Sequence, residues 1–202
     1  MTLFVFGGII QKGVLFRSGY VRVITGIAKG KKLEVLSGNE VRPTIDRVKE
    51  AIFSTIQFHL EGRTFLDLFG GSGQMGIEAL SRKAREAVFI DARRESIDII
   101  KKNLKNTGLE SNAKVVNMDA ECYLKSTNEI FDIAFLDPPY YSGKIQKVLP
   151  LLVNLMSKDG LIVCESPLDE ELPSEVENFI LYKDRVYGKV KISVYQRKGV
   201  EK

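Results

Sequence analysis

Thr64-Phe65-Leu66-Asp67-Leu68-Phe69-Gly70-Gly71-Ser72-Gly73-Gln74-Met75-Gly76 is the stretch that decides the fold. Thr64 to Leu68 is a short apolar run broken by one carboxylate, and it reads as a buried strand. Gly70 to Gly73 form a loop, and Met75 to Ser81 read as a helix. Glycines let such a turn run tight and let a ligand approach the backbone. The helix that follows presents free N–H groups at its start. Gly71-x-Gly73-x-x-Gly76 has the spacing of a dinucleotide fingerprint, a weak signal when it stands alone.

Downstream, the same alternation repeats. Ala87 to Ile90 is a second strand, ending at Asp91, and Glu95 to Thr107 is a helix stopped by Gly108. Ala113 to Asn117 is a third strand, followed by Asp119 and a short helix. Phe131 to Leu136 is a fourth strand. Lys144 to Met156 is a helix, and Asp159-Gly160 separates it from a fifth strand at Leu161 to Glu165. Pro167 to Pro173 is polar and turn-like. Phe179 to Val186 and Val190 to Gln196 alternate as paired strands around Gly188. The pattern predicts an α/β, Rossmann-like core over residues 63–198. Its sheet has seven strands, mostly parallel, with helices on both faces and an antiparallel C-terminal edge.

Upstream, residues 21–62 read as an appendage of a β-hairpin and a helix. Val21 to Gly26 and Leu33 to Val35 are its strands, joined by the basic turn Lys29-Gly30-Lys31-Lys32. Arg42-Pro43-Thr44 leads into the helix, with Thr44 as N-cap and Val48, Ala51, Ile52, Thr55 and Ile56 as its apolar face. Residues 1–20 are apolar and glycine-rich. Leu3 to Ile10 is too short to span a membrane, and the segment lacks the cationic start and cleavage site of a signal peptide. The readings of it are a start assigned too early, with Val21 as initiator, or else a poorly structured extension or an extra edge strand.

Composition narrows the function classes. The 202 residues, 44% hydrophobic and 28% charged, suit one globular core. Cys122 and Cys164 suggest no disulfide framework, and with His59 as the single histidine no metal site is expected. A net charge of +4 permits a nucleic-acid partner without demanding one. A cytoplasmic monomer with no membrane partner is the expectation.

Three successive core strands end in carboxylates, Asp67, Asp91 and Asp119. Asp67 would repel a pyrophosphate, but it could receive the cationic amino acid end of S-adenosylmethionine. Asp91 stands where a carboxylate takes ribose hydroxyls, and Asp119 where it could accept from the adenine amine. Helix capping is the alternative for each.

The fourth strand ends in Asp137-Pro138-Pro139-Tyr140. Two prolines cannot continue a central strand, so the chain turns out of the sheet there. An exocyclic amine on a base is a poor nucleophile, because its lone pair is delocalised into the ring. Fixed acceptors, the Asp137 carboxylate and the Pro138 carbonyl, would orient that lone pair and stabilise developing positive charge. Tyr140 can stack on the base. Guanine N2, adenine N6 and cytosine N4 fit these four residues equally well.

In order and spacing, Arg42-Pro43-Thr44-x-Asp46-Arg47-Val48-Lys49-Glu50, the glycine segment with Gly76-Ile77-Glu78-Ala79-Leu80-Ser81-Arg82, and Asp137-Pro138-Pro139-Tyr140 closely resemble the RsmD family. These are bacterial 16S rRNA guanine-N2 methyltransferases, and the resemblance runs from about Val21 to about Arg197. It implies a class I S-adenosylmethionine-dependent methyltransferase fold. The cofactor would lie against Asp67, Phe69, Gly70, Gly71, Ser72, Gly73, Asp91, Ala92, Asp119 and Ala120. The resemblance also implies a target guanine at Asp137, Pro138, Pro139 and Tyr140, in 16S rRNA of an assembled or partly assembled 30S subunit. Arg22, Lys31, Arg42 and Arg47 would meet RNA or shape the cleft, and Glu78 would brace the loop or touch the cofactor's amino acid end. The family often has Ala where Gly71 stands. The competing expectations are an adenine-N6 or cytosine-N4 methyltransferase acting on DNA or RNA, a non-catalytic RNA-binding assembly protein on the same fold, and a nicotinamide dehydrogenase.

Overall fold

Apolar side chains alternate along the strands and sort onto the two faces of one sheet. The computed structural model describes residues 21–36 and 46–199. The extension 1–20 and the Arg42-Pro43-Thr44 lead-in lie outside the described residues. The elements run α1 (Asp46–Ile56), β1 (Thr64–Asp67), α2 (Gln74–Ser81), β2 (Glu86–Asp91), α3 (Arg94–Thr107), β3 (Ala113–Asn117) and α4 (Ala120–Ser126). They continue with β4 (Phe131–Leu136), α5 (Lys144–Leu152), β5 (Met156–Pro167), β6 (Glu175–Val176), β7 (Phe179–Tyr187) and β8 (Val190–Arg197).

The strands form one sheet in the order β3-β2-β1-β4-β5-β8-β7-β6. The first five are parallel and the last three antiparallel. Phe65, Phe89, Phe135 and Val163 face one layer, made by α1, α2 and α3. Leu66, Ile90, Leu136 and Cys164 face the other, made by α4 and α5. Central parallel strands are covered on both sides, which is why they read as near-continuous apolar runs. Among the described residues no helix is long and apolar enough to cross a membrane.

Three details differ from the expectation. The two-residue β6 adds an eighth strand at the edge, paired to the start of β7 through Val176 and Phe179. The helix expected to reach Met156 ends at Leu152, two residues after Pro150, and Met156 already pairs with Phe131 in the sheet. Asp159 therefore sits within β5 rather than before it. Arg63 fixes it there, donating to Asp159 at 2.6 Å and to Asp132 at 3.1 Å.

The front hairpin closes through one bridge, Arg22 with Lys32. Val23 N–H also bonds Lys31 O and Leu33 N–H bonds Val21 O, whereas Ile24, Thr25, Ile27 and Ala28 bond α2. The buried Glu78 carboxylate accepts from the N–H of Ile24 at 2.7 Å and of Thr25 at 3.0 Å. The Ser81 carbonyl accepts from Ile27 N–H, and the Ser81 hydroxyl donates to Thr25 O and accepts from Ala28 N–H. Lys49, 1% exposed, donates to Arg22 O at 2.7 Å and lies 3.8 Å from Glu78. Burial lowers the Lys49 pKa, and the Glu78 carboxylate opposes that shift. Val23, Ala28 and Leu33 pack into the same apolar layer as α1 and α2.

Gly76 lets α2 lie close on β2. A Cβ there would stand 2.3 Å from the Phe89 ring. Gly76→Ala is expected to destabilise the protein by about 1–3 kcal/mol in urea unfolding, as overpacking does. Adding Phe89→Leu should restore part of that loss.

Candidate active site

Beyond β1 the chain crosses to β2 on one side of it and later to β4 on the other. Such a reversal opens a crevice at the carboxyl ends of the strands. A cavity of about 830 Å³ lies there. Its walls include the ends of β1, β2, β4 and β5, the glycine loop, the turn before α4, and Val21, Val35 and Leu36 of the front segment.

Asp67 ends β1 and is 2% exposed. Its Oδ2 accepts from Gly76 N–H at 3.0 Å, in the first turn of α2. Burial pushes its pKa up to about 7, against the lowering effect of that hydrogen bond. Asp91 ends β2 and holds the glycine loop, accepting from Gly71 N–H at 2.9 Å through Oδ2 and from Arg93 N–H at 2.8 Å through Oδ1. Asp119 caps α4, its Oδ1 accepting from Glu121 N–H at 2.9 Å. Capping does not remove it from the cavity wall: its Oδ2 lies 3.8 Å from Lys144 Nζ, which also sits 5.8 Å over the Phe69 ring.

The turn after β4 brings Asp137, Pro138, Pro139 and Tyr140 to the same cavity. Asp137 and Tyr140 are half-buried, and Pro138 is buried. The Tyr140 hydroxyl donates to Glu165 Oε1 at 3.3 Å. Tyr141 turns away with φ 56°, and its hydroxyl donates to Asp169 at 3.0 Å.

Phe69, Gly70, Gly71, Ser72, Ala92 and Ala120 also line the cavity. Gly73 does not. It takes φ 78° at the start of α2, and a Cβ on it would meet Ile100 at 3.1 Å, so its role is to close the loop against α3. Arg22, Lys31 and Arg47 are exposed and lie off the cavity wall, with Arg22 3.3 Å from Asp46. Arg42 lies outside the described residues. Glu78 faces the front segment rather than the cavity. Glu165 and Lys144 are wall residues that the sequence reading passed over. Glu165 carried a usable signal, since it closes an apolar strand run as Asp67 and Asp91 do.

The wall holds the carboxylates Asp67, Asp91, Asp119, Asp137 and Glu165 against the cations Arg93 and Lys144. That balance disfavours a pyrophosphate, whose charges would face carboxylates at the strand ends. It fits a ligand with a cationic amino acid end, a ribose and an adenine. The buried Asp67 is a suitable counter-ion for the ammonium, because a carboxylate held at this depth costs less when a cation joins it.

The sheet order and the loop-to-helix crevice define the class I, Rossmann-like fold of S-adenosylmethionine-dependent methyltransferases. Comparison with known proteins agrees. The family model described as "Conserved hypothetical protein 95" matches residues 21–196. "Putative rRNA methyltransferase YlbH" of Bacillus subtilis is 38% identical over 89% of this chain and all of its own length. "Ribosomal RNA small subunit methyltransferase D" of Escherichia coli is 36% identical over 90% of this chain and 92% of its own. The solved structure of "Putative methyltransferase yhhF" from Escherichia coli superposes with a TM-score of 0.80 at 36% identity, covering 90% of this chain and 100% of that one. The chain belongs to this family, the RsmD family that its motifs resemble.

Asp67 supplies a test of the cavity's electrostatics. Its folded pKa of about 7 lies above the ordinary 3.8, so its contribution to stability is full below about pH 4 and is lost as pH rises to about 7. Asp67→Asn, which keeps an acceptor for Gly76 N–H, is expected to be more stable than the parent at pH 8. That advantage should shrink as pH falls below about 7 and vanish near pH 4, as measured by ligand-free urea unfolding across pH.

Proposed function

We propose that this protein transfers a methyl group from S-adenosylmethionine to the exocyclic N2 amine of a guanosine in 16S rRNA of the small ribosomal subunit. The observation that carries this reading is that Asp137, Pro138 and Tyr140 share one cavity with the strand-end carboxylates Asp67, Asp91 and Asp119. The printed names of relatives at 36–38% identity support the choice of ribosomal RNA.

When bound, S-adenosylmethionine supplies an electrophilic methyl group. Asp67 holds the ammonium end, Asp91 the ribose, and Asp119 the adenine edge, while Phe69, Gly70, Gly71, Ser72, Ala92 and Ala120 shape the walls. Asp137 and the Pro138 carbonyl accept the two amine hydrogens of guanine, which turns the nitrogen lone pair toward the donor. Positive charge growing on that nitrogen is met by the same two acceptors. Asp137 need not be a strong base, because the methylated cationic amine is acidic enough to release its proton to water. Tyr140 stacks on the base and Pro139 shapes the entry, so the nucleotide leaves its stack before it is modified. Arg22, Lys31 and Arg47, which lie off the cavity wall, meet phosphates of the RNA together with Arg42, which positions the substrate without reading its sequence.

Asp137→Ala is expected to lower transfer by at least roughly 10²-fold, as loss of a transition-state acceptor does, while S-adenosylmethionine affinity stays within a few fold. Tritiated methyl incorporation into small subunits from a strain lacking this gene measures the first, and calorimetry the second. Unchanged turnover would refute the role of Asp137. Label recovered on adenine or cytosine would refute the guanine reading.

A further inference from the structure

The five carboxylates of the cavity are not scattered. Asp67, Asp91 and Asp119 follow β1, β2 and β3 and occupy one side of the crevice. Asp137 follows β4 and Glu165 lies near the carboxyl end of β5, on the other. β4 and β5 are parallel neighbours in register, with Leu136 opposite Cys164. One residue further on stand Asp137, the first residue after β4, and Glu165 within β5, and both line the cavity. Phe135 and Val163 pack into one apolar layer, and Asp137 and Glu165 come two residues after each. Glu165 is 4% exposed and is flanked on its other side by Ile192 of β8. Its Oε1 accepts from the Tyr140 hydroxyl, the side chain proposed to stack on the base. A carboxylate can accept about four hydrogen bonds, so Glu165 can hold Tyr140 and a base edge together.

Two adjacent acceptors match one nucleobase edge. In guanine the N2 amine sits next to N1–H, a second donor. In adenine and in cytosine the ring nitrogen beside the exocyclic amine is an acceptor. A carboxylate next to the amine site therefore attracts guanine and repels the other two, and repulsion of the wrong partner is as much a source of specificity as attraction of the right one.

We infer that Glu165 is a specificity-determining residue that accepts from the N1–H of the target guanine while Asp137 takes the amine. This inference rests on the guanine-N2 reading above. It assigns the choice among the three amine-bearing bases, which Asp137-Pro138-Pro139-Tyr140 leaves open, to a residue on the neighbouring strand.

The experiment uses small subunits reconstituted with 2-aminopurine in place of the guanine that the wild-type protein labels. 2-Aminopurine keeps the exocyclic amine but presents an acceptor at N1. The kcat/KM ratio of guanine over 2-aminopurine is measured for the wild type and for Glu165→Gln, whose amide can donate to N1. The analogue's missing O6 affects both proteins alike, so the change in ratio reads Glu165. The wild-type ratio is expected to be on the order of 10⁴, as for a site built around a substrate N–H. Glu165→Gln should lower it by about 100-fold or more, with S-adenosylmethionine affinity within a few fold of wild type. A wild-type ratio near one would overturn the inference, and needs no variant to fold. So would a variant that loses activity on both bases by the same factor, the result of a purely structural contact with Tyr140. Wild-type label on a base other than guanine would instead overturn the functional reading itself.

Discussion

A carboxylate buried beneath the start of a helix is the constraint from which the site's geometry descends. Asp67 accepts from Gly76 N–H, so the end of β1 is tied to the first turn of α2. The favourable field at a helix N-terminus offsets part of the cost of holding a carboxylate at 2% exposure. With both ends anchored, the glycine loop has one span to cover. Gly76 then allows α2 to settle on Phe89, and Asp91 holds the loop from the next strand through Gly71 N–H. A carboxylate that looks like a ligand group in the sequence is therefore also a structural one.

The electrostatic design separates inside from outside. The exposed front segment carries Arg22, Lys29, Lys31 and Lys32, and the chain as a whole is +4, whereas the cavity is rich in carboxylates. A polyanion is drawn to the surface but not into the crevice, and a small cation is drawn into the crevice but not to the surface. Exposed cations act over roughly a Debye length and weaken with salt, while the buried Asp67 and Glu165 are screened much less.

Much of this was legible in the chain. The four inner parallel strands announced themselves as apolar runs because both faces of each are covered, and Gly108 stopped α3 as expected, with φ 74°. The strand-end positions of Asp67, Asp91, Asp119 and Asp137 could be read because each follows such a run. What escaped was set by contacts between segments distant in sequence. Met156 is a helical residue by local pattern and a strand residue by its pairing with Phe131. Glu78 has the appearance of a loop brace, but its partners lie 53 and 54 residues upstream. Past the Arg22–Lys32 bridge, the N–H groups of Ile24, Thr25, Ile27 and Ala28 bond α2 rather than a strand partner, a competition that no local propensity encodes.

The wall formed by Val21, Val35 and Leu36 is attached by bonds of long sequence separation. Glu34 N–H reaches Asn103 across 69 residues, and the Asn103 amide returns to Glu34 O. Closing loops of that length costs entropy that the contacts of this wall must repay. Anything that fills the crevice and touches that wall shifts the docking equilibrium of the front segment by mass action. A ligand that spans the crevice to that wall is, in this architecture, also a piece of the protein's own tertiary structure.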